Sequence, residues 1–166
     1  MRRKPPDFYR ADTLKSDDSV GLLFRRVLAS LIQEVDRRLA QHDLTHAQWV
    51  PLYKLFRGEC GTSAELARDM QVDPAAVTRA LDRLEAKGLI ERGRSATDRR
   101  VVQLELTAEG RRVAPLVPAA LAEVFNAHLA GFSETEWATL IELLQRMLSN
   151  GEALRAAALE SQEAKP

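Results

Sequence analysis

Cys60 is the only cysteine in 166 residues. An intrachain disulfide framework is therefore excluded, and so is a zinc ribbon built on paired cysteines. No apolar run approaches the roughly 18–20 residues that a membrane span requires. The segment Met1-Arg2-Arg3-Lys4-Pro5-Pro6 is basic but lacks the apolar stretch of a signal peptide, so a cytoplasmic location with no membrane partner is expected. Histidine is sparse: His42, His46 and His128 are scattered along the chain. No nucleophile–base pair, glycine-rich phosphate loop or paired-acid site stands out, so the chain does not read as an enzyme. Net charge is also missing, because 24 Lys+Arg balance 24 Asp+Glu. What remains is an ordinary globular profile, 45% hydrophobic and 29% charged, of a length that suits one domain or one compact body with a helical extension.

The neutral total hides an uneven distribution. Residues 1–62 carry a net +3, residues 63–112 a net +1 and residues 113–166 a net −4. Within 92–100, Arg92, Arg94, Arg99 and Arg100 face only Asp98. Binding to nucleic acid needs a basic footprint rather than a basic protein.

Residues 1–18 read as a mobile basic arm. From Ser19 to about Gln41, Leu23, Val27, Leu31, Val35 and Leu39 recur every four residues, with Leu28 and Ile32 widening the stripe, as in an amphipathic helix. Thr45 and Gln48 form a capping box, with Leu44 and Trp49 placed as a hydrophobic staple, and the helix they open runs to about Arg57. Thr62 and Glu65 cap a short helix through Met70. Asp73-Pro74 opens a further helix that Gly88 ends near Lys87. Leu89–Arg92 and Val101–Leu106 read as strands, joined by a loop Gly93–Arg100 too long for a tight hairpin. A helix over 108–131 is expected to bend at Pro115 and Pro118. Phe132-Ser133 and Glu136-Trp137 then open a last helix.

The fold class is mainly α with a small β wing: a winged helix-turn-helix domain at 44–107, flanked by a dimerisation helix at 19–43 and C-terminal dimerisation helices at 108–160, with a tail at 161–166. The flanking helices carry more apolar surface than one small domain needs, which points to a homodimer.

On a helical wheel, Val77, Leu81 and Leu84 of the helix 74–87 face one way, and Ala75, Ala76, Arg79 and Arg83 face the other, flanked by Thr78. Small residues near the N-terminus allow close approach to a major groove, and arginine can contact guanine bidentately. A solvated arginine face on an ordinary amphipathic helix gives the same pattern. The loop adds weight, because Arg94, Arg99 and Arg100 suit the negative potential of a narrow minor groove. Asp98 is spaced to hold Arg100 extended. A protein–protein interaction module whose arginines meet an acidic partner is the alternative from a different class.

The residues Leu44-Thr45, Gln48-Trp49 and Glu65-Leu66-Ala67, the run Thr78–Ile90, and Asp98-Arg99-Arg100 followed by Leu106-Thr107-Ala108-Glu109-Gly110 resemble the MarR family of bacterial transcriptional regulators. The resemblance covers about 19–148. It implies a dimeric repressor on a pseudo-palindromic DNA operator, often released by a small aromatic acid. It also implies that Arg79 reads the major groove and that Arg100, oriented by Asp98, contacts the minor groove. The arm at 1–16 is an extension that many members lack.

The first helix and the Trp49 helix should meet beside the reading head. That junction would gather Arg25, Arg26, His46, Trp49 and Tyr53, and an arginine beside aromatic rings suits an aromatic carboxylate. The resemblance places its effector pocket there. Asp17-Asp18-Ser19 with His42–His46 further resembles a subgroup controlling nicotinic-acid breakdown and exopolysaccharide genes, which implies a hydroxylated pyridine carboxylate. No cofactor is expected. His42 and His46, four apart with Asp43 between them, have a spacing that zinc sites use, but they straddle a helix boundary. Cys60, with Arg57 three residues away to lower its pKa, offers a thiol-sensing alternative, though no second cysteine is present to resolve an oxidised sulfur.

Overall fold

The computed structural model describes residues 6–14, 19–94 and 102–163, which fall into two compact units, Met1–Phe125 and Asn126–Pro166. In the first unit, α1 spans Val20–Leu39, and the Ser19 side chain accepts a hydrogen bond from the Leu22 amide. The described part of the arm is attached to this helix start: the Tyr9 hydroxyl accepts from the Val20 amide at 2.9 Å. That bond ties down one of the orphan donors of a helix N-terminus, while residues 6–14 themselves are exposed throughout. The apolar stripe of α1 splits. Val35 and Leu39 are buried, whereas Leu23, Phe24, Val27 and Leu28 are exposed.

A 3₁₀ turn, Ala40–His42, and Asp43 in the left-handed region (φ 53°) turn the chain into α2, His46–Arg57. The predicted capping box is present, with Gln48 accepting from the Thr45 amide at 3.2 Å, and Leu44 and Trp49 are both buried beside it. The second box opens α3, Ser63–Met70, with Glu65 accepting from the Thr62 amide at 3.0 Å. Asp73 caps α4, Pro74–Ala86, by accepting from the amides of Ala75 and Ala76 at 2.9 and 3.1 Å. Gly88, at φ 67°, ends that helix in the conformation a side chain resists.

Strand β1 is Ile90–Arg94 and pairs antiparallel with β2, Val102–Leu106, Ile90 standing opposite Leu106 and Arg94 opposite Val102. The strand starts one residue later and runs two residues further than the sequence pattern suggested. Arg94 therefore lies in the ladder rather than in the loop, because pairing with Val102 carries the strand on through Gly93. The amide of Leu104 also donates to the Gly61 carbonyl at 2.8 Å, so β2 bonds to the α2–α3 connection as well.

The segment after the wing is two helices rather than one bent helix: α5, Ala108–Val113, and α6, Leu116–His128. Pro115 has no amide to continue the ladder, whereas Pro118 falls in the first turn of α6, where that loss costs nothing. The core joins Val35 and Leu39 of α1, Leu52, Leu66, Leu81 and Leu84 of the helical head, Ile90, Leu104 and Leu106 of the sheet, and Val113, Val117 and Val124 beyond it. In the second unit, α7 spans Glu134–Glu163 behind the predicted Ser133–Glu136 box, whose amide-to-carboxylate bond is 2.8 Å. No described side chain of α7 is buried, and Trp137, Ile141, Leu144, Met147, Leu148 and Leu154 are exposed along it.

Candidate nucleic-acid interface

Helix α4 divides as its wheel requires. Val77, Ala80, Leu81 and Leu84 are buried, while Ala75, Thr78, Arg79 and Arg83 are exposed and Ala76 is half-buried. Thr78 turns its hydroxyl back onto the Pro74 carbonyl at 3.0 Å, which leaves its methyl group outward. Among the described residues, neither Arg79 nor Arg83 is in an ion pair, so both guanidinium groups are available to an external anion or base edge. The helix N-terminus carries small side chains and a satisfied cap, and can lie close to another surface.

The neighbouring arginine behaves differently. Arg92 of β1 pairs with Asp82 at 2.7 Å and with Glu85 at 2.8 Å, both on α4. Its charge is thereby used to fasten the sheet to α4, and the basic surplus of 92–100 is smaller than a count along the chain suggests. This role was hidden in the sequence, where Arg92 is 10 residues from Asp82 and 7 from Glu85. The backbone of Arg94 ends β1, opposite Val102. Asp98, Arg99 and Arg100 lie outside the described residues.

A small-residue helix end with two outward arginines beside a two-stranded ribbon has counterparts among known proteins. The MarR family model matches residues 44–102. The MarR protein of E. coli, solved in its apo form, is 30% identical, with a TM-score of 0.67 over 78% of this chain and 97% of that one. The chain belongs to the MarR family. It is a DNA-binding transcriptional regulator with a winged-helix head, and members of that family are regulators rather than enzymes. The HTH-type transcriptional repressor MdtR of Bacillus subtilis is 37% identical over 102 residues, a match covering 60% of this chain and 63% of that repressor. The S. aureus MepR protein, solved as a DNA complex, is 28% identical, with a TM-score of 0.73 over 80% of this chain and 98% of that one.

In this MarR-family chain the five residues named for an effector are spread along α1 and α2. Trp49 donates its indole N–H to Asp36 of α1 at 2.7 Å, and the His46 ring stands edge-on to it at 5.0 Å. Tyr53, one turn further along α2, is half-buried against the core. Arg25 and Arg26 are exposed, and Arg26 sits ten residues before Asp36, roughly 15 Å along α1. Trp49 is thus a core side chain with a satisfied polar end.

His42 ends the 3₁₀ turn and His46 starts α2, while the Asp43 carboxylate is engaged by Lys87 at 2.9 Å. Among the described residues no group of three or more His, Cys, Asp or Glu is placed to hold a metal ion. The expected activation of Cys60 is reversed. Arg57 turns to Glu59 at 3.7 Å, and burial, followed by the charge of Asp69, pushes the thiol up. An open cavity of about 600 Å³ lies between the end of α2, β2 and α5, lined by Leu55, Phe56, Cys60, Leu104 and Leu106. Its two charged groups, Glu105 and Arg111, are both exposed and of opposite sign, so no buried polar side chain points into it. Among the described residues no helix is long and apolar enough to cross a membrane.

Proposed function

We propose that this regulator represses transcription as a homodimer on a pseudo-palindromic operator. Two copies of α4 enter successive major grooves of double-stranded DNA, about 34 Å apart. Arg79 and Arg83 contact bases or phosphates, Ala75, Ala76 and Thr78 allow close approach, and Arg94, Arg99 and Arg100 of the wing reach the flanking minor groove, with Asp98 orienting Arg100. The observation that carries the reading is the face of α4, where two exposed arginines have no acidic partner among the described residues while the adjacent Arg92 has two. The apolar residues exposed on α1 and, in the other unit, on α7 supply the surface for the dimer, in line with dimerisation segments at 19–43 and 108–160 around a reading domain at 44–107.

A small aromatic carboxylate, of the hydroxylated pyridine type, is the effector proposed to release the dimer. This part rests on residue chemistry and not on a pocket within the chain: arginines at 25 and 26 suit the acid and His46, Trp49 and Tyr53 the ring, with Arg26 lying roughly 15 Å along α1 from Asp36, the partner of Trp49. Release then follows if the ligand binds better to a dimer whose heads miss the one-turn separation.

The test is selection of genomic fragments by the purified protein, with and without hydroxylated aromatic acids. An inverted repeat with half-sites one turn apart, lost on adding an acid, is the expected result. Folded protein that enriches no sequence overturns the operator reading, and enrichment untouched by every acid overturns the effector.

A further inference from the structure

Lys87 is the C-cap residue of α4, and its side chain leaves the reading helix. Its Nζ donates to the backbone carbonyl of Asp43 and to Oε1 of Gln48 at 3.1 Å, and lies 2.9 Å from the Asp43 carboxylate. An ammonium has three protons to donate, and three acceptors surround this one. Among the described residues Gln48 is the only polar side chain in the buried core, 3% exposed, and the oxygen it offers Lys87 also accepts from the Thr45 amide. Asp43 is the left-handed residue at which the chain bends from α1 into α2. One side chain therefore ties the end of the reading helix to the bend between the first two helices, 44 residues away in sequence.

We propose that Lys87 is a positioning residue that sets the angle of α4 relative to α1, and with it the half-site separation that the protein accepts. The inference rests on the dimeric operator reading above, and deepens it by naming the residue that makes the reader selective for spacing. If α1 belongs to the dimer surface, the distance between two reading helices depends on how each α4 is held against its own α1. Each residue of the bend carries two soft dihedrals. The 13 residues of α4 make a lever of about 20 Å, so a rotation of roughly 10° displaces its far end by about 3.5 Å, close to one base-pair step. A tie at the bend end of that lever, where Lys87 sits, resists the rotation. Because its protons are already used, Lys87 is not itself a phosphate contact, and its effect is on geometry rather than on attraction.

The experiment uses the full chain and a library of duplexes carrying the two half-sites recovered by the wild type, separated by varied spacers. The wild type is expected to retain a single separation. Lys87→Met keeps the aliphatic stem and removes the three donors; it is expected to retain neighbouring separations as well, with unchanged affinity for an isolated half-site and an unchanged salt slope. A Lys87→Met protein that keeps the single separation overturns the inference. So does a salt slope lower by about one with the separation kept, because that marks a phosphate contact. Should Lys87→Met not fold, Asp43→Asn decides. It removes one acceptor from an exposed position, and asparagine tolerates the left-handed backbone. The same broadening, to a lesser degree, is expected, and an unchanged separation overturns the proposal. A wild type with no fixed separation overturns the dimeric reading and this inference together. A wild type with a fixed separation that both variants share overturns this inference alone.

Discussion

Gly110 sets two rules of thumb against each other. It lies in the first turn of α5, where alanine is the better helix former by about 1 kcal/mol, so propensity alone predicts that Gly110→Ala stabilises the protein. A Cβ at this position would stand 1.9 Å from the Leu89 carbonyl oxygen and 2.9 Å from its carbon. The obstacle is backbone and cannot rotate away. Relief requires α5 to move off the α4–β1 turn by more than 1 Å, on the order of the gap between 1.9 Å and an ordinary contact. That shift strains two bonds that hold the turn, from the Thr107 hydroxyl to the Gly88 carbonyl at 2.5 Å and from the Thr107 amide to the Leu89 carbonyl at 3.2 Å. Overpacking against an unyielding wall costs about 3 kcal/mol and each strained bond about 0.5, which outweighs the propensity gain and leaves a net loss of about 3 kcal/mol. For a chain of this size the melting temperature should fall by roughly 6–12 °C, read by circular dichroism at fixed protein concentration. Gly21→Ala is the control. Gly21 is also helical, but a Cβ added there would meet nothing within 4 Å, so the melting temperature should hold or rise. A Gly110→Ala protein that melts at or above the wild-type temperature would refute the steric argument.

Three further outcomes are expected. Arg79→Ala should cost about 1–3 kcal/mol on the operator and relax preference at one base pair, measured by binding to singly substituted duplexes; a uniform loss over all of them would make Arg79 a phosphate contact. The Glu65 carboxylate, held below the ordinary glutamate range first by the Gly61 amide and then by Thr62, has a lowered folded-state pKa. Its stabilising contribution is therefore complete above the ordinary range and is lost as pH falls through the lowered value; urea midpoints against pH should show this acid limb in the wild type and a shallower one in Glu65→Gln, and identical limbs would contradict it. The buried Cys60 thiol, pushed up by desolvation, should react with an aromatic disulfide reagent far more slowly in the native protein than in urea, and equal rates would restore the thiol-sensing alternative.

Residue order near each helix end determines much of this protein. Thr45 with Gln48, Thr62 with Glu65, Asp73 with Pro74, and Ser133 with Glu136 start helices where those pairs predict, because a cap and its amide lie within one turn of chain. The inward face of α4 is equally local, since 3.6-residue periodicity alone places Val77, Leu81 and Leu84 together and turns Arg79 and Arg83 away. Groups whose partners are distant in sequence are another matter. Arg92 reads as part of a basic loop until α4 brings Asp82 and Glu85 beside it. Arg57 reads as able to activate Cys60 until Glu59 takes its charge and the core takes the thiol. Arg26 and Trp49 share a chemistry, but the α1 side chain that meets Trp49 is Asp36, ten residues beyond Arg26 and a partner that residue order did not announce. Lys87 carries no signal of its own, as nothing in a run of helix-ending residues says that an ammonium will cross to a bend 44 residues away. Caps and periodicity act over a single turn and are written in the order of residues. Ion pairs and desolvation depend on which surfaces packing brings within a few ångströms, and only the folded chain decides that.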